Sequence, residues 1–238
     1  GKPIHLFGAQ GREEATGRGV ALVAKSIIEE FDKKIEKTKV AIQGFGNVGR
    51  FTAAVCYEFG MKVVAISDIT GMISNKNGLD IPELLKYKTI AEVPNHGLES
   101  AEDLFKTNCD ILIPAALGGV IKEDNYHLLN TQFIIEGANQ PITSEADREL
   151  RVSGVTIVPD ILANSGGVMG SYFEWTQNIQ QFSWDIEKFR KELDSRMRKA
   201  FNTVRKTSEK YGVDYRSAAY ILAVSRVSEA FASRGSLV

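Results

Sequence analysis

The sequence predicts an α/β protein: a doubly wound, mostly parallel sheet with helices on both faces and a C-terminal helical tail. Three observations carry this expectation. Short β-branched runs, apolar on both faces, recur through the first 160 residues and alternate with helical or loop segments. One of them leads straight into a glycine-rich turn, VAIQGFGNVGRF at 40–51. Beyond residue 164 the strand pattern stops and two long helical segments follow.

Taken in order, Val20, Val23, Ala24, Ile27, Ile28 and Phe31 recur at steps of three and four, which predicts an amphipathic helix over about 13–35. KVAIQ (39–43) is short and bounded by glycine, a buried strand. Val48, Phe51, Val55 and Phe59 return to helical spacing, and Gly60 is placed to end that helix. KVVAIS (62–67), DILIPAA (110–116), QFIIEGA (132–138) and VTIVPD (155–160) supply four more buried strands. The tail is expected as helices over about 185–210 and 214–233. In the second, Tyr220, Ala223, Val224, Val227 and Phe231 form an apolar stripe, and the tail either packs on the sheet or reaches toward a further domain. The reading is one dinucleotide-binding domain over 1–238, with 1–36 a leading helical segment and about 183–238 the tail.

Composition excludes several function classes. Apolar residues make up 43%, charged residues 25%, and the net charge is -1 with both signs mixed, so no basic surface for nucleic acid is expected. No apolar run approaches the ~18 residues of a membrane span, and there is no signal-peptide pattern. Cys56 and Cys109 lack metal-ligand spacing and read as buried free thiols of a cytoplasmic protein, with no metal site.

The turn Gly44-Phe45-Gly46-Asn47-Val48-Gly49 follows a strand and opens a helix, the context a pyrophosphate-binding turn requires. Gly44 allows the tight turn, Gly46 lets a pyrophosphate approach the backbone, and Gly49 lets the helix pack on the strand. The helix N-terminus offers free N–H groups to phosphate. Asp68, nineteen residues beyond Gly49 at the end of the second strand, stands where a carboxylate accepts from ribose hydroxyls. It repels a 2′-phosphate and favours NAD, although a neighbouring lysine such as Lys76 would offset that, so NADP stays open.

Ligands in such sheets bind beyond the strands' carboxyl ends. There PAALGG (114–119) offers small residues, EGANQP (136–141) offers Asn139, and DILANSGG (160–167) offers Asn164. If 164–176 is helical, Asn164, Val168, Ser171 and Trp175 share one face, with Ser171 roughly 10 Å along the axis from Asn164. One helix could then touch both a cofactor and a small substrate. The plainer reading of Ser171 is that it lightens helix packing beside Gly166, Gly167 and Gly170.

The motifs GREEATGRGV (11–20), QGFGNVG (43–49), ISDITG (66–71), ILIPAALGG (111–119), EGANQP and PDILANSGGVMGSYFEW (159–175) together resemble the coenzyme-binding, C-terminal part of the glutamate dehydrogenase family. The resemblance spans nearly the whole chain and implies a Rossmann-type fold. It implies that Thr16 holds the nicotinamide carboxamide and that Asn47, within the turn Gly44, Phe45, Gly46 and Val48, contacts phosphate or ribose. Asp68, with Ile69 beside it, takes the adenosine ribose. Ala115, Ala116, Asn139 and Asn164 line the nicotinamide side, and Arg12 shapes the same mouth. Ser171, with Val168, is implied to meet the substrate: glutamate enzymes carry a serine here that binds the side-chain carboxylate, and leucine-, valine- and phenylalanine-type relatives carry an apolar residue.

The implied activity is reversible oxidative deamination of L-glutamate to 2-oxoglutarate and ammonia in a homohexamer. The family's GGGKGG-like lysine motif and its catalytic aspartate motif do not occur in this sequence. No catalytic residue is therefore assigned, and the chain is expected to be a coenzyme domain without its substrate domain, inactive alone and able to stand as a monomer. A leucine-, valine- or phenylalanine-type dehydrogenase and a stand-alone dinucleotide-binding module are the competing readings.

Overall fold

The computed structural model describes residues 1–94 and 96–235; the last three residues of the expected domain lie outside the described residues. Six strands form one sheet: β1 (Lys39–Gln43), β2 (Lys62–Asp68), β3 (Gly71–Ser74), β4 (Ile111–Pro114), β5 (Phe133–Ile135) and β6 (Thr156–Val158). Their spatial order is β3-β2-β1-β4-β5-β6, and every pair is parallel except β2–β3. The chain crosses over between β1 and β4, which opens a crevice at the carboxyl ends of those two strands.

All five expected strands are present. The sixth, β3, was not anticipated. GMIS is short, starts on a glycine and pairs antiparallel at the sheet edge, so it carries neither length nor alternation to mark it. Its direction corrects one expectation. Asp68 pairs with Gly71, but the Asn75 amide already reaches Val64 O, so Lys76 sits about 13 Å down the sheet from Asp68. It cannot serve the Asp68 end.

The sheet separates two cores. Val40, Ile42, Ile111, Ile113, Phe133 and Ile135 face a thick helical layer containing α1 (Ala15–Glu30), α2 (Asn47–Glu58) and α7 (Ile186–Tyr211). The short helices α3 (Ile81–Leu84) and α5 (Asp160–Ala163), with α6 (Gly166–Gln180), complete that side. The other face, with Ala41, Leu112 and Ile134, is covered more thinly by Leu104, Phe105, Ile121 and α4 (Ser144–Val152). Val40 pairs with Val63 but Ala41 with Ala65, so Val64 is an extra residue, and Val64 and Ala65 both join the second core.

Two helices depart from their expected character. The first spans only Ala15–Glu30, with 3-10 turns at Ile4–Leu6 and Ile35–Lys37 on either side. It is not amphipathic in its first half, because Ala15 and every residue from Gly17 to Ala24 are buried. The last, α8 (Tyr215–Ser233), buries only Tyr215, Ala218 and Ala219. Its apolar stripe, Tyr220, Val224, Val227 and Phe231, is exposed, since α8 packs on α7 and β6 only through its first turns. Of the two placements expected for the tail, packing on the sheet holds for α7, whose Phe189, Leu193, Met197, Phe201 and Val204 join the core, and not for the stripe of α8.

Cys56 and Cys109 are buried and unbridged, and burial pushes both thiols up to about 12. The native chain is accordingly expected to be inert to a disulfide reagent at pH 8 and to release two thiols in guanidinium. Prompt reaction of either thiol in the native state would contradict the packing of α2 or of the Cys109 loop.

Candidate functional site

The glycine turn has three distinct local demands. Gly44 has a φ of 103°, a conformation that disfavours a side chain. A Cβ on Gly49 would lie 1.9 Å from the Gly44 carbonyl oxygen, so α2 reaches β1 this closely only with glycine there. Gly46 differs: its φ is ordinary at -77°, and a Cβ there would meet nothing within 4 Å. The fold itself has no need of glycine at 46.

The turn opens onto a cavity of about 590 Å³ at the carboxyl ends of β1, β2 and β4, reached by Gly44 to Val48, Asp68, Ile69, Ala115 and Ala116. The Asp68 carboxylate is already oriented. One oxygen accepts from the Thr70 amide (2.7 Å) and hydroxyl, the other from the Ile90 amide (2.8 Å). Ile69 beside it is 99% exposed, an apolar side chain standing over the opening. Ala101, Glu102 and Phe105, from the 3-10 turn Ala101–Lys106, complete this end. Sequence reasoning missed them because that segment has no local signal and reaches the site only through the sheet's topology.

A second cavity, about 500 Å³, adjoins the first and shares Val48, Ala115, Ala116 and Leu117 with it. It gathers Arg12, Thr16, Asn139, Asn164, Val168 and Ser171. The two make one groove running from Asp68 to Ser171. Asn164 Nδ2 donates to Asn139 Oδ1 at 2.7 Å, so the two asparagines at the ends of successive strands form one amide unit. Asn164 lies in a two-residue turn between α5 and α6 rather than on the long helix expected over 164–176. Val168 and Ser171 still share its face and are exposed to the groove, while Gly166 and Gly170 turn the other way and are buried. Helix packing therefore involves the glycines and not Ser171.

Two further placements add detail. Asn47 lines the first cavity, and its Nδ2 donates to the Glu13 carbonyl (3.0 Å), tying the glycine turn to the approach of α1. Arg12 lines the groove beside Thr16 as expected, with a buried Nε that has no partner among the described residues.

The model of the glutamate/leucine/phenylalanine/valine dehydrogenase family matches residues 8–235. The chain belongs to this family. It is 48% identical over 240 residues to a glutamate dehydrogenase of Thermotoga maritima, covering 99% of this chain and 58% of that one. Among solved structures, the hetero-hexameric glutamate dehydrogenase of Thermus thermophilus in a leucine-bound form superposes with a TM-score of 0.92 at 32% identity, over 100% of this chain and 57% of that one. The glutamate dehydrogenase of Peptoniphilus asaccharolyticus gives 0.86 at 37% identity, over 99% and 56%. The chain thus spans a little over half the length of these relatives.

The contrast between glycines yields a sharp test. Gly46→Ala should change stability by no more than about 1 kcal/mol, an N-cap effect, yet weaken dinucleotide binding at least tenfold by filling space a pyrophosphate would use (about 1.4 kcal/mol per decade). Gly49→Ala should instead destabilise the fold itself. Denaturant melts beside NADH titrations check this; undiminished NADH binding by Gly46→Ala would remove the turn from the site.

Proposed function

We propose that this chain is the coenzyme-binding half of a glutamate dehydrogenase that prefers NAD to NADP. Residues 1–238 form the coenzyme unit, and the parent enzyme interconverts L-glutamate with 2-oxoglutarate and ammonia, acid–base groups coming from a substrate domain and the assembly being a homohexamer. The observation that carries the substrate is the exposed Ser171 hydroxyl at the groove end opposite Asp68, about two helical turns beyond Asn164.

The groove's chemistry fits a nicotinamide dinucleotide. Gly46 leaves open space at the head of α2, and the adenosine end pairs an apolar wall (Ile69, Phe105, Val120) with a carboxylate for the ribose. Among the described residues, Asp68 and Glu102 are the charged ones lining that end, while Arg50 and Lys88 line a neighbouring cavity that shares Phe45, Gly46 and Asn47. A 2′-phosphate beside Asp68 would face two carboxylates, which favours NAD. Thr16 and the Asn139–Asn164 pair supply donors and acceptors for the carboxamide, and Ala115 and Ala116 leave room for a flat ring. When bound, the coenzyme accepts or returns the hydride at the nicotinamide C4. The chain's own residues bind and orient; Ser171 donates to the substrate's side-chain carboxylate.

Two outcomes are expected. In the parent enzyme, Ser171→Val should cut kcat/KM for L-glutamate by roughly 10- to 150-fold, the ~1.5–3 kcal/mol of one hydrogen bond to a charged group. Higher wild-type rates with L-leucine, L-valine or L-phenylalanine would move the assignment to those substrates. The 238-residue chain should bind NADH at least about tenfold tighter than NADPH, with Asp68→Asn narrowing the gap, and should turn over no substrate. Preference for NADPH, or measurable turnover by this chain, would overturn these parts of the proposal.

A further inference from the structure

Glu136 is fully buried at the end of β5 and takes no part in lining the groove. It accepts both arms of Arg216 (3.0 and 2.7 Å), and its Oε2 also accepts from the Asp160 amide at 2.8 Å. Arg216, in the first turn of α8, also donates to Asp147 on α4 (3.0 and 2.9 Å). Asp160 is the branch point. Its carboxylate accepts from the Gln140 amide (2.8 Å), next to Asn139, and Gln140 is held at a φ of 45°. Its carbonyl accepts from the Asn164 amide (3.1 Å). Both asparagines of the amide pair are thus hung from one residue whose own N–H is held by Glu136.

We propose that Glu136 and Arg216 are positioning residues for the nicotinamide end of the groove, their buried ion pair fixing the Asn139–Asn164 unit through Asp160. The inference rests on the coenzyme reading above. Burial opposes the charge on Arg216, and the hydrogen bond and charge of Glu136 more than compensate, raising its pKa above the usual arginine value. A buried pair of this kind contributes little net stability compared with an apolar one. Its geometric effect is larger: without the fork of Arg216, the Glu136 carboxylate keeps the Asp160 N–H as its single partner among the described residues. It then protonates or turns away, and the first turn of α5 loses its anchor.

The adenosine end, built on β1, β2 and the 3-10 turn at 101–106, does not depend on this pair. The test therefore compares two ligands on the 238-residue chain, NADH and ADP, for Arg216→Lys and for the neutral double variant Glu136→Gln/Arg216→Met. Expected is a roughly tenfold or greater rise in the NADH dissociation constant, from misplacement of the amides. ADP affinity should stay within about twofold, as for an uncoupled site, and the fluorescence of bound NADH should fall. Unchanged NADH affinity, or parallel loss of both ligands, would overturn the positioning role. A wild-type chain that binds neither ligand would instead sink the coenzyme reading and the inference with it. One that binds ADP but not NADH would overturn the nicotinamide part of the coenzyme reading and the inference with it.

Discussion

The site depends on how closely α1 can be approached. A Cβ on Gly17 would lie 2.7 Å from the Val48 carbonyl and the Thr52 amide of α2, and one on Gly166 would lie 2.3 Å from the Ala15 carbonyl. Backbone therefore meets backbone on both sides of this helix. One contact sets α2 and the glycine turn; the other sets α6 with Val168 and Ser171. Thr16 falls between them, and Asn47 reaches across to the Glu13 carbonyl to close the junction. Arg18, buried and bidentate to Asp194 of α7 at 2.7 Å each, prevents α1 from turning about its axis. The motif GREEATGRG is thus legible as packing: its small residues let two walls of the groove share one reference.

That same packing explains what sequence reasoning could and could not reach. Strands β1, β2, β4, β5 and β6 were legible because burial on both faces leaves continuous apolar runs. The character of α1 was not, because alanine and glycine carry little hydrophobic signal yet are buried here on nearly every side. Along α8 the error ran the other way. Periodicity reports an apolar stripe but says nothing about what covers it, and among the described residues the outer turns meet no neighbour. At the site, the glycine turn, Asp68 and the two asparagines were placed at strand ends by local pattern alone. Glu102 and Phe105 were invisible, because only the order β2-β1-β4 brings their segment over the groove.

The groove is polarised along its length. At one end Asp68 is held by three donors from its own and a neighbouring loop, so its orientation costs the ligand nothing. At the other end the polar groups lining the groove are largely neutral, an amide pair and two hydroxyls, with Arg12 at the margin. On the proposed coenzyme reading, charge stands where a sugar would be read and neutral donors where a carboxamide would be oriented. Charges nearer the amides are paired behind the wall, the buried Glu136 and Asp147 with the part-buried Arg216.

Under the proposed function, Ser171 would let the fold reserve little for specificity. Its hydroxyl donates to the Gly167 carbonyl at 3.1 Å, four residues back on α6, an acceptor that the helix ladder also uses. This second bond is weak and local. Rotating the hydroxyl toward a carboxylate in the groove exchanges a neutral bond of about 0.5–1.5 kcal/mol for a charge-assisted one of about 1.5–3 kcal/mol, and Gly167 keeps its ladder partner. An alkyl substrate offers no such exchange, so the serine stays bonded to its own helix and adds nothing to binding. Discrimination then comes from the substrate's need for a donor and not from any strain at the serine. It requires only that α6 present position 171 to the groove, which the contacts of Gly166 and Gly170 with α1 already enforce.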